Sequence, residues 1–204
     1  LFDAPDNSAF VVDHISTDPD SGQRFLERIF CDAEMSQIYR HSLEKTQYDP
    51  RTRPWYLKAT KTDQATSVEP YLFYFLKEVG TTVSYAKPGT KTVIAADVTL
   101  RQLSSSLNKY LLTPSSEIAL INVSGNVVGS TQSEQTVVPL EGDRFKIAHI
   151  DDLDNEVFAF MNDNDLLHPG LLSFQHGGRD WHGAVRTFNV TGNKDRELTL
   201  VMLS

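Results

Sequence analysis

The sequence predicts an α+β protein of two modules, residues 1–113 and 114–204. Short β-rich runs recur along the chain, turn-forming residues punctuate them, and the order of elements restarts after Pro114. No sequence repeat accompanies the restart.

The first run, "AFVVDHIS" from Ala9 to Ser16, is β-branched and aromatic, "TDPDSGQ" makes a turn, and "RFLERIF" resumes, which reads as a hairpin. Met35, Ile38, Tyr39 and Leu43 recur at helical spacing, so a helix is expected over "AEMSQIYRHSLEK". Pro54 suits a first helical position, so "PWYLKATK" should start a short helix with Arg53 at its mouth. "GTTVSYA" and "KTVIAADV" read as an antiparallel pair around a turn at Lys87 to Gly89. Thr99 and Gln102 form a capping box, with Leu100, Leu103, Leu107 and Leu111 down one helix face. In the second half, "EIALINV" and "VVGST" form a hairpin across "SGN", and "RFKIAHI" and "EVFAFM" read as further strand-like alternation. "LLSFQHGGRDWHGAVRTFNV" makes two strands around Gly-Gly-Arg-Asp, and "ELTLVML" supplies the last strand.

Composition narrows the function. At 40% hydrophobic and 23% charged, the chain of 204 residues is globular in character. Its formal charge of -8, without any Lys/Arg run, disfavours nucleic acid as a partner. Glu141 to Asp165 holds eight acids and two bases, which reads as a solvated face. Cys31 stands alone, so an internal disulfide and a cysteine zinc site are excluded, and either cytoplasm or periplasm is compatible. No apolar run approaches the ~20 residues that span a bilayer. The chain reads as a soluble piece of a longer protein.

Motifs for catalysis and metal binding fail on inspection. Ser42-Leu-Glu-Lys45 matches S-x-x-K but lacks the companion S-D-N and K-T-G motifs. Acids near Asp18 and Asp152 lack the glycine and glutamate of an EF-hand loop. His176 and His182 flank a turn without a third ligand at diagnostic spacing, so a structural pair is expected. Asn122-Val-Ser and Asn189-Val-Thr fit glycosylation sequons, which matter only in a secretory context. Nothing assembles a nucleophile, a base and an oxyanion donor, so this chain is expected to catalyse no reaction and to need no cofactor or metal.

"YDPRTRPWYLKA", from Tyr48 to Ala59, is built differently from an ordinary loop, with two arginines, two prolines and three aromatics. Arg53 offers a planar fork of donors matched to a carboxylate, and Trp55 offers one N–H and a flat wall. Prolines 50 and 54 limit the ordering cost of the loop. Tyr48 and Tyr71 could add hydroxyls. Asp97 stands inside an apolar strand, where an acid is costly unless it faces a polar cavity or a cation. The alternative is a packing corner in which Arg51 or Arg53 is paired with Asp49 or Asp97. Residue chemistry leaves both open.

"YDPRTRPWY" resembles the signature of the double Cache (dCache) sensor domains found outside the membrane in bacterial signalling receptors. "VIAADVTLRQLSSSL" is similar to the strand and helix that close the membrane-distal module of that family. The resemblance covers the first module almost throughout and the second by strand order alone. It implies two PAS-like modules, each an antiparallel sheet flanked by helices, stacked on a long N-terminal helix after which this chain is expected to begin. It also implies a small ligand in the distal module, its carboxylate clamped by Arg53 and Trp55, its wall formed by Tyr48 and Tyr71, and its amine met by Asp97. Where amino-acid binders carry a second Asp, this sequence has Phe73. That departure turns the expectation from a generic α-amino acid toward a carboxylate, a bulkier amine or a more apolar metabolite.

"EPYLFYFLKEVGTTVSYA" resembles the variant in receptors whose cytoplasmic output makes or breaks cyclic nucleotides, such as HD-GYP phosphodiesterases. The resemblance thus implies a periplasmic domain of an inner-membrane protein, with a homodimer as one option. Alternatives are a ligand-free, partner-binding Cache domain, or the sensor of a chemoreceptor or histidine kinase.

Overall fold

A computed structural model describes residues 5–131, 136–140, 145–189 and 197–204. Its contacts divide into two compact units, Leu1–Arg51 and Thr52–Ser204.

In the first unit β1 (Phe10–Thr17), β2 (Arg24–Cys31) and β3 (Gln37–Lys45) form an antiparallel sheet in that order. The β1–β2 hairpin is the expected one. Its turn is set by Asp18, whose Oδ1 accepts the backbone N–H groups of Ser21 at 2.7 Å and Asp20 at 3.1 Å, followed by Gly22 at φ 69°. Arg28 of β2 then makes a two-point contact with Asp13 of β1, at 2.7 and 2.8 Å. The helix expected over residues 33–45 is instead a turn and strand β3. Asp32 Oδ1 accepts the N–H groups of Glu34 and Ser36 at 3.0 and 2.8 Å, and Met35 takes φ 63°, which folds the chain back onto β2. Ile38 and Tyr39 favour a strand as much as they fit a helical spacing, and pairing with β2 decides between the two.

The second unit opens with α1 (Pro54–Ala59), whose first residue is the expected proline. Strands β4 (Thr66–Ser67), β5 (Tyr71–Leu72), β6 (Val79–Ala86) and β7 (Val93–Thr99) follow, with β6 pairing antiparallel to the other three. Register runs from Gly80↔Thr99 to Ala86↔Val93, the antiparallel pair read from the sequence. Helix α2 (Leu100–Leu107) starts at the residue after β7. Its capping box is present: Gln102 N–H donates to Thr99 Oγ1 at 3.1 Å and Thr99 N–H to Gln102 Oε1 at 3.0 Å. Leu111 lies past its end, beyond a 3-10 turn over Asn108–Tyr110.

Then come β8 (Glu117–Asn122), β9 (Val127–Ser130), β10 (Val137–Pro139), β11 (Phe145–Ile147), α3 (Glu156–Asp163), β12 (Gly170–His176), β13 (Arg179–Asn189) and β14 (Glu197–Leu203). Five of these form an antiparallel sheet, β12-β13-β14-β8-β9, while β10 pairs with β11. "EVFAFM" is helix α3, not a strand. Asn155 caps it by accepting the N–H of Val157 at 3.1 Å, and Val157, Phe158 and Met161 form a buried stripe that alternation cannot describe.

α3 covers one face of the five-stranded sheet, packing Phe158 and Met161 against a cluster that includes Val127, Val185, Val201 and Leu203. On the opposite face Leu120 and Val128 pack against Leu100, with Leu103 and Leu107 beside them. Ser104 Oγ, fully buried, accepts the N–H of Ser130 at 3.1 Å. α2 therefore joins the four-stranded and the five-stranded sheets of this unit, which fall on either side of residue 113. Among the described residues no helix is long and apolar enough to cross a membrane. Residues 141–144 of the acidic stretch, and Val190 and Thr191 of the second sequon, lie outside the described residues.

Candidate ligand-binding site

Gly80, Thr82, Ser84 and Ala86 occupy one face of β6, and all four are buried. Register sets Thr99, Asp97, Ala95 and Val93 of β7 beside them. Small side chains along this face leave a shallow floor. α1 is pinned onto it: Ser84 Oγ donates to the Trp55 carbonyl at 3.0 Å, Tyr56 OH to Lys91 O at 3.0 Å, and Lys58 Nζ to Ser67 O at 2.9 Å.

A row of hydrogen bonds crosses the floor. Thr82, at 0% exposure, donates to Asp97 Oδ1 at 2.6 Å. A hydroxyl has one proton, so the 2.8 Å contact between Thr82 Oγ1 and the Tyr71 hydroxyl runs from Tyr71 to Thr82. The Arg53 guanidinium lies over the Tyr71 ring, 5.4 Å from its centroid. Cation, phenol, hydroxyl and carboxylate thus stand in succession. Phe73 completes the wall. It meets Tyr71 edge-on at 5.1 Å and is 4% exposed. Its ring lies on Gly80, where a β-carbon would come within about 2.5 Å of it.

Arg53, Tyr71, Phe73 and Asp97 are therefore gathered around one patch of the second unit, to which Trp55 is tied by its backbone carbonyl. Asp97 differs from expectation in being exposed, so no burial cost attaches to it. What holds it is the bond from Thr82. Tyr48 belongs to the first unit, where its N–H donates to Thr46 Oγ1 at 3.1 Å.

The packing-corner alternative describes another part of the same motif. Asp49 accepts Arg51 Nε and a terminal Arg51 nitrogen at 2.9 Å each, with a terminal nitrogen of Arg24 at 3.3 Å. The Arg51 side-chain bonds, joined by the Arg51 backbone N–H and by the charges of Arg51 and Arg24, hold the Asp49 carboxyl below its ordinary value near 3.8. A carboxyl depressed in the folded state contributes stability above its unfolded pKa, and that contribution disappears as pH falls through the folded one. Melting curves between pH 6 and pH 3 should therefore drop more steeply for the wild type than for Asp49→Asn, in which the group cannot titrate; equal slopes would remove this ion pair from the acid response.

Thr82, Ser84 and Gly80 were not singled out by sequence, although "GTTVSYA" carries the signal: small or hydroxyl residues at every second position. His176 and His182 face opposite sides of their sheet. The His176 ring packs on Phe160 at 4.5 Å between centroids, and His182 Nδ1 is 2.9 Å from Ser173 Oγ. Among the described residues no group of three or more His, Cys, Asp or Glu could hold a metal ion. The side chain of Ser42 lies outside what is described.

No family model matches the chain. Over 127 residues, 62% of its length, it is 31% identical to adenylate cyclase 1 of Rhizobium meliloti (strain 1021), a stretch amounting to 19% of that protein. Among solved structures, the ligand-binding domain of Campylobacter jejuni chemoreceptor Tlp3, in complex with 4-methylisoleucine, aligns with 97% of this chain and 65% of its own, at 18% identity and a TM-score of 0.50. The ligand-binding domain of Pseudomonas aeruginosa PAO1 amino-acid chemoreceptor PctC, in complex with GABA, aligns with 97% of this chain and 74% of its own, at 17% identity and a TM-score of 0.52. The chain thus spans about two thirds of the Tlp3 domain and a fifth of the cyclase. With its antiparallel sheets and flanking helices, it has the fold of the double Cache ligand-binding domains of bacterial transmembrane receptors.

Proposed function

We propose that this chain is the extracytoplasmic sensing module of a bacterial transmembrane receptor, and that it binds a small carboxylate- or amine-bearing metabolite on the β6–β7 floor. The row Arg53, Tyr71, Thr82, Asp97 carries the reading. It offers a cation suited to a carboxylate and, beyond two hydroxyls, an exposed carboxylate suited to an ammonium group. Trp55 supplies the wall beside Arg53. Phe73 removes the second carboxylate from the amine end, which favours a ligand with more apolar bulk or a single charge. The ligands of the Tlp3 and PctC domains, 4-methylisoleucine and GABA, agree with this chemistry. The identity with an adenylate cyclase supports a cytoplasmic output that makes or breaks a cyclic nucleotide, an HD-GYP phosphodiesterase being the other candidate. A membrane-anchored parent, dimeric in the receptor, and modules dividing at residue 113 belong to the same reading.

A thermal-shift screen of amino acids, amines and organic acids tests it. A ligand at a hundred times its dissociation constant should add about 2.7 kcal/mol of stability. Arg53→Ala should abolish that shift while leaving the unliganded melting temperature in place. Silence across the screen would sink direct sensing. It would favour a partner-binding domain, a reading to which the burial of Phe73 over Gly80 lends weight.

A further inference from the structure

We propose that β12 is a docking edge for a second copy of this chain, the two strands pairing antiparallel about a two-fold axis at Ser173. The two edges of the five-stranded sheet differ. At β9 the edge is covered: Val127 N–H donates to Ala148 O at 2.8 Å, and Asn126 bridges to His149. At β12 no backbone bond from the described residues reaches the outer edge, and the strand pairs with β13 alone. Gly177 and Gly178, at φ 62° and 73°, make a two-residue turn, so His176 and Arg179 are the hydrogen-bonded pair that closes the hairpin. Counting back in twos, Phe174, Leu172 and Gly170 bond to β13, while Leu171, Ser173 and Gln175 turn their N–H and C=O groups outward. Open edges are ordinarily protected by a charge, a proline or a bulge. β12, with the sequence GLLSFQH, carries no Lys, Arg, Asp, Glu or Pro and pairs with β13 without a register shift. Leu171 is 89% exposed on it.

The outward residues are disposed symmetrically about Ser173, and this selects a copy of the same strand as the occupant. With Ser173 opposite Ser173, Leu171 of each copy faces Gln175 of the other. Every outward N–H and C=O along Gly170–His176 then gains a partner. On the inner face, Leu172 of each copy stands opposite Phe174 of the other. Both side chains are half-buried at the margin of the core cluster under α3, so the pairing makes two cores continuous. No charged side chain lies on the strand to oppose its copy. α3 reaches this edge through Phe160, stacked on Phe174 at 5.5 Å and packed on His176 at 4.5 Å. That is the Gly177 end of the strand, which antiparallel pairing sets against the Gly170 end of the other copy, so the two helices are kept apart. The interface uses no residue of the β6–β7 floor, and it gives the dimer proposed above a definite contact.

Sedimentation equilibrium and amide hydrogen exchange at rising concentrations of the chain test it. A single strand pair makes an interface below about 1,200 Å², so a weak, concentration-dependent dimer is expected. The amides of Leu171, Ser173 and Gln175 should gain protection as it forms. Ser173→Lys and Ser173→Glu each set like charges across the axis and should weaken the dimer up to about fivefold. An equimolar mixture of the two should restore it. Ser173→Pro, tolerable on an edge strand, should abolish it in a chain that still melts cooperatively. Arg53→Ala should leave the dimer unchanged, so that failure here and failure of the sensing site are told apart. A chain that stays monomeric, a dimer whose protection falls on other strands, or a mixture no tighter than either variant alone would each overturn the proposal.

Discussion

Phe158→Ala is expected to destabilise the chain by about 3–5 kcal/mol, the cost of truncating a fully enclosed aromatic side chain. Phe158 is 0% exposed and sits in the stripe of α3 that seals one face of the five-stranded sheet. Val157 and Met161 on the same helix, and Val201 and Leu203 on the sheet, surround it and belong to rigid elements that collapse poorly. For a domain of this size, roughly 2–4 °C is lost per kcal/mol. The melting temperature should therefore fall by about 6–20 °C in a calorimetric scan. A loss below about 2 °C would mean that α3 is not seated on this sheet. The same packing leaves no room for a ligand under α3: that face is filled by the protein's own side chains.

Gly80→Ala is the second large effect, expected at about 1–3 kcal/mol from overpacking. A β-carbon at this position would approach Phe73 Cε2 and the Val98 carbonyl oxygen to about 2.5 Å each. The ring could swing away, but the carbonyl belongs to the neighbouring strand and cannot. Pairing Gly80→Ala with Phe73→Leu should therefore recover part of the loss and never all of it. Chemical denaturation of the two single variants and the double variant measures the coupling. Full recovery would show that the backbone of β7 yields, and no recovery would show that Phe73 does not rest on Gly80. The same variants report on the proposed recognition, in which Phe73 stands at the amine end of the ligand.

How far the sequence reached differs from element to element. The hairpins were legible because turn chemistry and alternation agree: Asp18 and Gly22 between β1 and β2, Ser124 and Gly125 between β8 and β9, Gly177 and Gly178 between β12 and β13. Two segments were misread because a short apolar run fits both periods. Ile38 and Tyr39 satisfy a helical spacing, yet they join a strand because Asp32 folds the preceding residues into a turn. "EVFAFM" alternates well enough for a strand, yet Asn155 caps a helix and the five-stranded sheet needs a cover. At the site, Arg53 and Trp55 were recognisable from their chemistry. Thr82 was not, because nothing local reveals that a threonine on β6 faces Asp97 and Tyr71; that follows from register, which only the folded sheet fixes.

The capping box at Thr99 has a mechanical consequence. Asp97 and Ser104 are joined by the end of a strand and the start of a helix, with no loop to take up slack. The reciprocal bonds of Thr99 and Gln102 stiffen the one joint between them, and close-packed interiors transmit strain instead of absorbing it. A tug on the Asp97 carboxylate is therefore delivered, like a push along a rod, to the buried bond between Ser104 and Ser130, and so to the edge of the neighbouring sheet.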